Sequence, residues 1–272
     1  MLKELLERFR QGYRTMPYPN DTPAMPDRFR GRPRLPDSLC EASCHACEAI
    51  CPTGAIISRE GKPSLDMGRC LFCADCATAC PAAALSFTLE HRLSVWDRED
   101  LIIGPTMSAK MSAKLSAKMP AKMSATRKKP VDPRLRLIRR SLKLRQVSAG
   151  GCNACEADIN VLGTLAFDLG RFGIQVVASP RHADGLLVTG PVTENMKHAL
   201  EKTYQAVPPP RLVIAVGACA VSGGPYRDHS ETHNGVSEVL PVDLWIPGCP
   251  PHPLTILDGL LKLTRGRNYT PS

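Results

Sequence analysis

At 272 residues the chain has room for two small domains rather than one large core, and its formal charge of +9 is concentrated in one place. Residues 106–145 carry thirteen Lys and Arg against the single acid Asp132, so everything else sums to −3. Twelve cysteines are too many for an ordinary cytosolic enzyme; the opening MLKELLERFR reads as neither a signal peptide nor a twin-arginine leader, and the longest apolar candidate, 212–221, is too short to span a membrane. The thiols are therefore expected to stay reduced and to bind metal rather than to pair as disulfides.

In chain order, Leu2, Leu5, Leu6 and Phe9 recur at helical spacing among Lys, Glu and Arg, which predicts a short amphipathic helix. Prolines at 17, 19, 23, 26, 33 and 36 forbid regular structure and predict an arm running extended over a surface, the alternative being a disordered leader. Next come Cys40, Cys44, Cys47 and Cys51 followed by Pro52, then Cys70, Cys73, Cys76 and Cys80 followed by Pro81. The second quartet is an uninterrupted CxxCxxCxxxCP, which resembles the bacterial ferredoxin signature, where the fourth cysteine ligates the other cluster. That rule assigns Cys40, Cys44, Cys47 and Cys80 to one [4Fe–4S] cluster and Cys70, Cys73, Cys76 and Cys51 to a second. Residues 56–64, with Gly61 at the turn, read as the small β element between the half-motifs. The first quartet has one extra residue among Glu41, Ala42 and Ser43, to be absorbed as a bulge. The competing chemistry is a pair of four-thiolate zinc sites, but those need no proline after the last cysteine. His45, between two thiols, is expected beside the ligands rather than among them.

Residues 107–126 read MSAK MSAK LSAK MPAK MSAT, a four-residue near-repeat too simple to encode a packed core. It is read as a basic interdomain tether, with a membrane-surface helix as the alternative; no aromatic residue interleaves the lysines to stack a base, which argues against nucleic acid.

From Leu142 onward apolar strands alternate with amphipathic segments. Strands are predicted at 142–147, 174–178, 185–189, 212–216 and 244–246, all but the first apolar enough to be buried on both faces. Met196, Ala199, Leu200, Thr203, Tyr204 and Val207 share one helical face, with Thr193 as N-cap. Cys152, Cys155, Cys219 and Cys249 each lie just beyond the carboxyl end of a strand, in SAGGCNACE, GACAVSGG and PGCPP, where open α/β sheets gather ligands. Four thiolates converging there predict a third [4Fe–4S] cluster; the alternative is ordinary buried cysteines. No GxGxxG stands between strand and helix to hold a dinucleotide.

CNACE at 152–156, SPRHADGLLVTGPVT at 179–193, GACAVSGG at 217–224 and PGCPPHP at 247–253 resemble the small subunit of membrane-associated [NiFe] hydrogenases of the formate-hydrogenlyase and energy-converting type, and the homologous 20 kDa cluster-bearing subunit of NADH-quinone oxidoreductase, complex I. PDRFRGRPRL before the first quartet resembles the polyferredoxin subunit of the same complexes, so the chain looks like a fusion of two subunits. The two-residue spacing of Cys152 and Cys155 is the hydrogenase pattern; the complex I relatives have adjacent cysteines. His252 departs from the arginine more usual in PGCPPRP.

The resemblance implies an α+β ferredoxin-like N-terminal domain and an α/β doubly wound, flavodoxin-like C-terminal domain. The expected organisation is an arm over 1–36, a dicluster domain over 37–92, a linker over 93–140 and a small-subunit-like domain over 141–272. The implied function is electron transfer through three [4Fe–4S] clusters, with no catalytic site on this chain and Glu156 as a candidate proton relay. Implied partners are a [NiFe]-bearing or quinone-site large subunit, membrane subunits, and a formate dehydrogenase or ferredoxin as donor. The implied location is cytoplasmic and peripheral on the inner face of the cell membrane. The rivals are a complex I-like quinone oxidoreductase subunit and a stand-alone soluble ferredoxin-like carrier.

Overall fold

The structure is a computed structural model that describes residues 2–12, 14–21, 23–35, 40, 44–59, 62–104, 141–266 and 269. The basic repeat, the extra residue near Cys40 and the Gly61 turn lie outside the described residues.

The predicted helix is α1, Leu2–Gln11, and none of its side chains is buried; Leu2 is 77 % and Phe9 85 % exposed. The arm that follows is ordered. Strand β1, Pro33–Arg34, is reached before the two short helices and hairpin of the cysteine region: α2, Ala46–Ala49; β2, Ile56–Arg59; β3, Lys62–Asp66; and α3, Asp75–Thr78. Then come β4, Ser86–Phe87, antiparallel to β1, and β5, Ile102–Ile103, which adds to the hairpin in the order β2-β3-β5.

Residues 93–104, expected at the start of the linker, are instead part of the packed structure. Leu101 is completely buried, and Arg98 clamps Asp66 with two hydrogen bonds, Nη1 to Oδ1 at 2.8 Å and Nη2 to Oδ2 at 2.6 Å. That pairing joins residues 32 apart, which local composition does not reveal.

The C-terminal part is a five-stranded, wholly parallel sheet: β6, Leu142–Ser148; β7, Ile174–Val176; β8, Gly185–Thr189; β9, Leu212–Val216; and β10, Leu244–Ile246. Its spatial order, β10-β9-β8-β6-β7, starts in the interior, steps to one edge and then winds to the other, the doubly wound order that places a switch point between β6 and β8. Strand β7 stops two residues short of expectation. As an edge strand it buries only Ile174, so Gln175 and Val176 face solvent despite their apolar context. The crossover helices are α4, Ala154–Val161; α5, Glu194–Ala206; and the short α6, Ala218–Ser222; α7, Pro253–Arg265, follows the last strand.

Alternation along the buried strands sends side chains to two cores. Leu187, Ile214, Val216 and Ile246 face Ile159 of α4 and Leu257 and Leu261 of α7. Leu186, Val188, Val213 and Ala215 face Leu200 of α5, and that core runs on without a break into Leu65, Met67, Phe72 and Leu101 of the cysteine region. The two regions thus share one apolar interior.

A buried polar network locks the same junction. The Asp258 carboxylate, fully buried on α7, accepts from Tyr18 Oη and Ser94 Oγ, each at 3.4 Å, and Lys262 Nζ stands 3.4 Å away while donating to Ser94 O at 2.6 Å. His91 Nε2 lies 3.3 Å from the Tyr18 hydroxyl, and Arg171 Nη2 donates to the carbonyls of Met16 and Tyr18. Burial, and then the Asp258 charge, push the Tyr18 phenol far above its ordinary range, so it remains a donor. Arm, cysteine region and α7 are bound into one body.

Asp258→Ala would strand Tyr18, Ser94 and the Lys262 charge inside the junction, so it should cost about 2–4 kcal/mol in urea unfolding. Asp258→Asn, which keeps an acceptor, should cost about half that.

Candidate functional site

The cysteine region repeats itself. α2 ends two residues before Cys51 and α3 two residues before Cys80; each thiol is followed by Pro and then, three residues on, by a backbone with positive φ, Gly54 at 55° and Ala83 at 48°. That left-handed residue turns the next N–H back onto the sulfur: Ala55 N donates to Cys51 Sγ at 3.2 Å and Ala84 N to Cys80 Sγ at 3.3 Å. Phe72, also at positive φ, donates from its N–H to Cys70 Sγ at 3.3 Å. Backbone donors aimed at sulfur stabilise thiolate, which is the state that binds metal.

Electrostatic neighbourhood sorts the thiols. Cys40 is pushed up by burial and then by Cys80 and Cys44; Cys47 is pushed up by burial and then by Cys40, with Cys44 and Cys80 adding to it. Burial drives Cys70 to about 12, with Cys76, Cys51 and Cys73 as its charged neighbours, and Cys76 to about 11, with Cys73 and Cys51. Burial likewise drives Cys155 well above the thiol range and Cys219 to about 12, their neighbours being each other, Cys249, Cys152 and Glu156. Two thiols look outward from their own set: Cys76 also feels Cys47, and Cys249, raised by burial and then by Cys152, also feels Cys73. Charge thus couples Cys40 and Cys47 to Cys44 and Cys80, Cys70 and Cys76 to Cys51 and Cys73, and Cys155 and Cys219 to Cys152 and Cys249.

The second set bounds an enclosed, apolar-walled cavity, lined by Cys51, Cys70, Cys73 and Cys76 together with Ile56 and Leu65. The third lies across the switch point of the parallel sheet. Cys152 and Cys155 follow β6, Cys219 sits in α6 after β9, and Cys249 follows β10, with Cys152 and Cys249 exposed. Gly217 holds φ at +90°, and a Cβ there would lie 2.5 Å from Cys155 Sγ, so only glycine lets the sulfur sit where it does. Among the described residues no group of three or more His, Cys, Asp or Glu is spaced to hold a single metal ion. Thiolates held with backbone N–H donors are the donor chemistry of an iron–sulfur core.

Glu156, the candidate proton relay, stands in the first turn of α4. It is buried and accepts from Thr189 Oγ1, the last residue of β8, at 2.6 Å. His252 caps α7, Nδ1 accepting from Leu254 N at 3.2 Å, and its ring meets Phe29 edge-on at 5.3 Å; burial lowers its affinity for a proton. His45 faces the Glu48 carboxylate at 3.1 Å. Sequence reasoning missed the Asp66–Arg98 pair and Ser222, whose Oγ donates to Gly68 O at 2.9 Å and ties α6 to the second cysteine loop.

The fold and site define a parallel α/β domain with cysteines at its strand ends, preceded by a cysteine-rich region. Residues 152–263 match the family of the NADH ubiquinone oxidoreductase 20 kDa subunit. The chain belongs to that family. It is 41 % identical over 126 residues to a probable membrane-bound hydrogenase subunit, mbhJ, of Pyrococcus furiosus, covering 46 % of this chain and 75 % of the relative. It is 46 % identical over 125 residues to formate hydrogenlyase subunit 7 of Escherichia coli K12, covering 46 % of this chain but only 49 % of that subunit, so the match spans about half of its length. A chain in the solved membrane-bound sulfane sulfur reductase, an archaeal respiratory membrane complex, is 34 % identical, with 48 % of this chain and 72 % of that one aligned at a TM-score of 0.43. No helix among the described residues is long and apolar enough to cross a membrane.

Cys70, Cys76 and Cys219, with pKa values near 11–12 in the metal-free chain, are protonated at neutral pH and remain so at about pH 9.5. Metal uptake must displace those protons. These three thiols should each release a proton on loading at both about pH 7 and about pH 9.5 in pH-stat titration, so release at the higher pH should stay at or above about three per chain, whereas thiols titrating near about 8.5 would contribute little there.

Proposed function

We propose that the chain is an electron-transfer subunit of a membrane-associated oxidoreductase complex, holding three [4Fe–4S] clusters and relaying electrons to or from a [NiFe] site on a partner large subunit. The observation that supports this reading is the coupling of the thiols by mutual charge, in which Cys76 also feels Cys47 and Cys249 also feels Cys73. On it, Cys40, Cys44, Cys47 and Cys80 hold the first cluster, Cys51, Cys70, Cys73 and Cys76 the second, and Cys152, Cys155, Cys219 and Cys249 the third. The repeated Cys-Pro turns support a ferredoxin-like module over the first two and a fusion of two subunits usually separate.

A bound cubane supplies a one-electron redox centre, and the residues around it set its potential through burial, charge and N–H donors. Ala55, Phe72 and Ala84 each aim an N–H at a ligand sulfur, where the donor offsets the charge gathered on the thiolates. Cys152 and Cys249, both exposed, are where a partner site can come close. All twelve cysteines are committed to cages, so the [NiFe] centre, the donor (a formate dehydrogenase or ferredoxin) and the membrane subunits belong to other polypeptides. Peripheral attachment to the cytoplasmic face follows from such partners.

The family also supports a second reading, a quinone oxidoreductase module of complex I type. The spaced Cys152 and Cys155 favour the hydrogenase. Hydrogen-dependent dye reduction by the purified complex separates them: activity supports the first reading, and quinone-dependent activity without it supports the second.

Anaerobically isolated chain should contain about twelve irons and twelve sulfides. Gly217→Ala should lose about four of each together with one set of EPR signals after dithionite. Full iron retention in that variant would remove Cys155 from the third cage.

A further inference from the structure

The arm carries a row of arginines that neither the fold nor the cluster reading uses. From Arg28 to Arg34 exposure alternates: Arg28, Arg30, Arg32 and Arg34 face solvent, while Phe29 is half-buried and Gly31 and Pro33 are buried. The cause is the close apposition of the arm to residues 86–90. Gly31 N donates to Thr88 O at 2.8 Å, Arg32 N to Glu90 O at 2.9 Å, and Thr88 N to Arg32 O at 3.1 Å, with Pro33 and Arg34 paired to Phe87 and Ser86. Any side chain at Gly31 would strike the Glu90 carbonyl, so the residues on either side turn outward. Arg28 sits in a turn closed by Phe29 N donating to Pro26 O at 2.8 Å, Arg32 at a bend and Arg34 in β1, so the four form a file along the exposed edge of the arm. Among the described residues none of the four has a carboxylate at ion-pair distance.

The file ends at a crevice of about 270 Å³ between the arm and the third cage. Arg28 and Arg30 stand at its edge; Phe72, Pro251, His252 and Cys249 are among its walls, and Asp158 is its one acid. Arg30 is anchored there by Nη1 donating to Phe72 O at 3.2 Å.

We infer that Arg28, Arg30, Arg32 and Arg34 form a docking rail for an acidic, extended segment of a partner polypeptide, laid alongside the mouth of the third cage. The inference rests on the proposed role as a subunit of a complex. The four exposed arginines have no carboxylate partner on this chain among the described residues, so a carboxylate-rich segment complements their charge, and each planar fork can take one carboxylate bidentately. An anionic lipid surface is matched by cations spread over a plane, not by one row beside a walled crevice. Nucleic acid would need an open ring to stack on, and Phe29 is spent against His252. The rail would bring the partner's chain to Cys249, the exposed thiol nearest the second set.

The test uses the cluster-loaded full chain and a fluorescent dodecapeptide of alternating Glu and Thr at low salt. The same peptide with Lys for Glu, and phosphatidylglycerol vesicles, serve as controls. The Glu peptide should bind, the Lys peptide should not, and Arg32→Glu with Arg34→Glu should weaken binding at least about tenfold at unchanged iron content. Arg32→Gln with Arg34→Gln reads the same surface if the reversal does not fold. In the isolated complex, a photo-crosslinker at position 34 should capture a carboxylate-rich stretch of a neighbouring subunit. Equal binding of both peptides, vesicle binding that alone depends on the arginines, or crosslinks only to lipid would overturn the rail. Iron content is read separately, so failure of the cluster reading is distinguishable.

Discussion

On the proposed reading, twelve sulfurs are held together in three small volumes although each, once ionised, repels its neighbours. Burial and mutual charge act in the same direction, and at Cys70 they raise the thiol to about 12. Against an ordinary thiol that is about 4 kcal/mol opposed to forming the thiolate in a metal-free cage. A cationic inorganic core relieves that cost, and the chain has to hold the cages in shape to receive it. The left-handed residues at Gly54, Phe72 and Ala83 and the N–H groups they aim at sulfur are local answers to this constraint.

The global answer is a junction with little freedom. A row of redox centres conducts only when neighbours stay close, so the second and third sets must not drift apart. The shared apolar core, Ser222 on Gly68, and Asp258 gripping both Tyr18 and Ser94 all act at that boundary. The arm is part of the device: it enters beside α7 at Tyr18 and leaves paired with residues 86–90, stitching over the seam. The arm that the prolines predict to run extended over a surface is a strap, and its prolines suit a path that follows two surfaces.

Much of the site was legible because cysteine spacing is a one-dimensional record of a local fold. The CxxCxxCxxxCP run and the placement of Cys152, Cys219 and Cys249 after apolar strands needed no long-range information, and the five strands stood out because buried parallel strands are apolar runs. The rest depended on who packs against whom. Residues 93–104 look like the approach to a tether until Arg98 meets Asp66; β7 looks fully buried until its edge position is known; Glu156 shows no partner until Thr189 arrives from another strand. Asp258, an acid in the middle of a greasy helix, was the one visible sign of the junction, because a carboxylate is seldom fully buried without partners.

This division bears on how the tether between the two regions is to be understood. Every contact named above as setting the spacing of the second and third thiol sets is made by residues before 105 or after 140. A covalent connection raises the local concentration of one region around the other, but it adds nothing to the geometry once they have docked. The interface is therefore of the kind two separate chains could form, apolar at its centre and pinned by buried polar pairs. Joining them guarantees one cysteine-rich region for each sheet domain, while the relative placement of the two is fixed by packing alone.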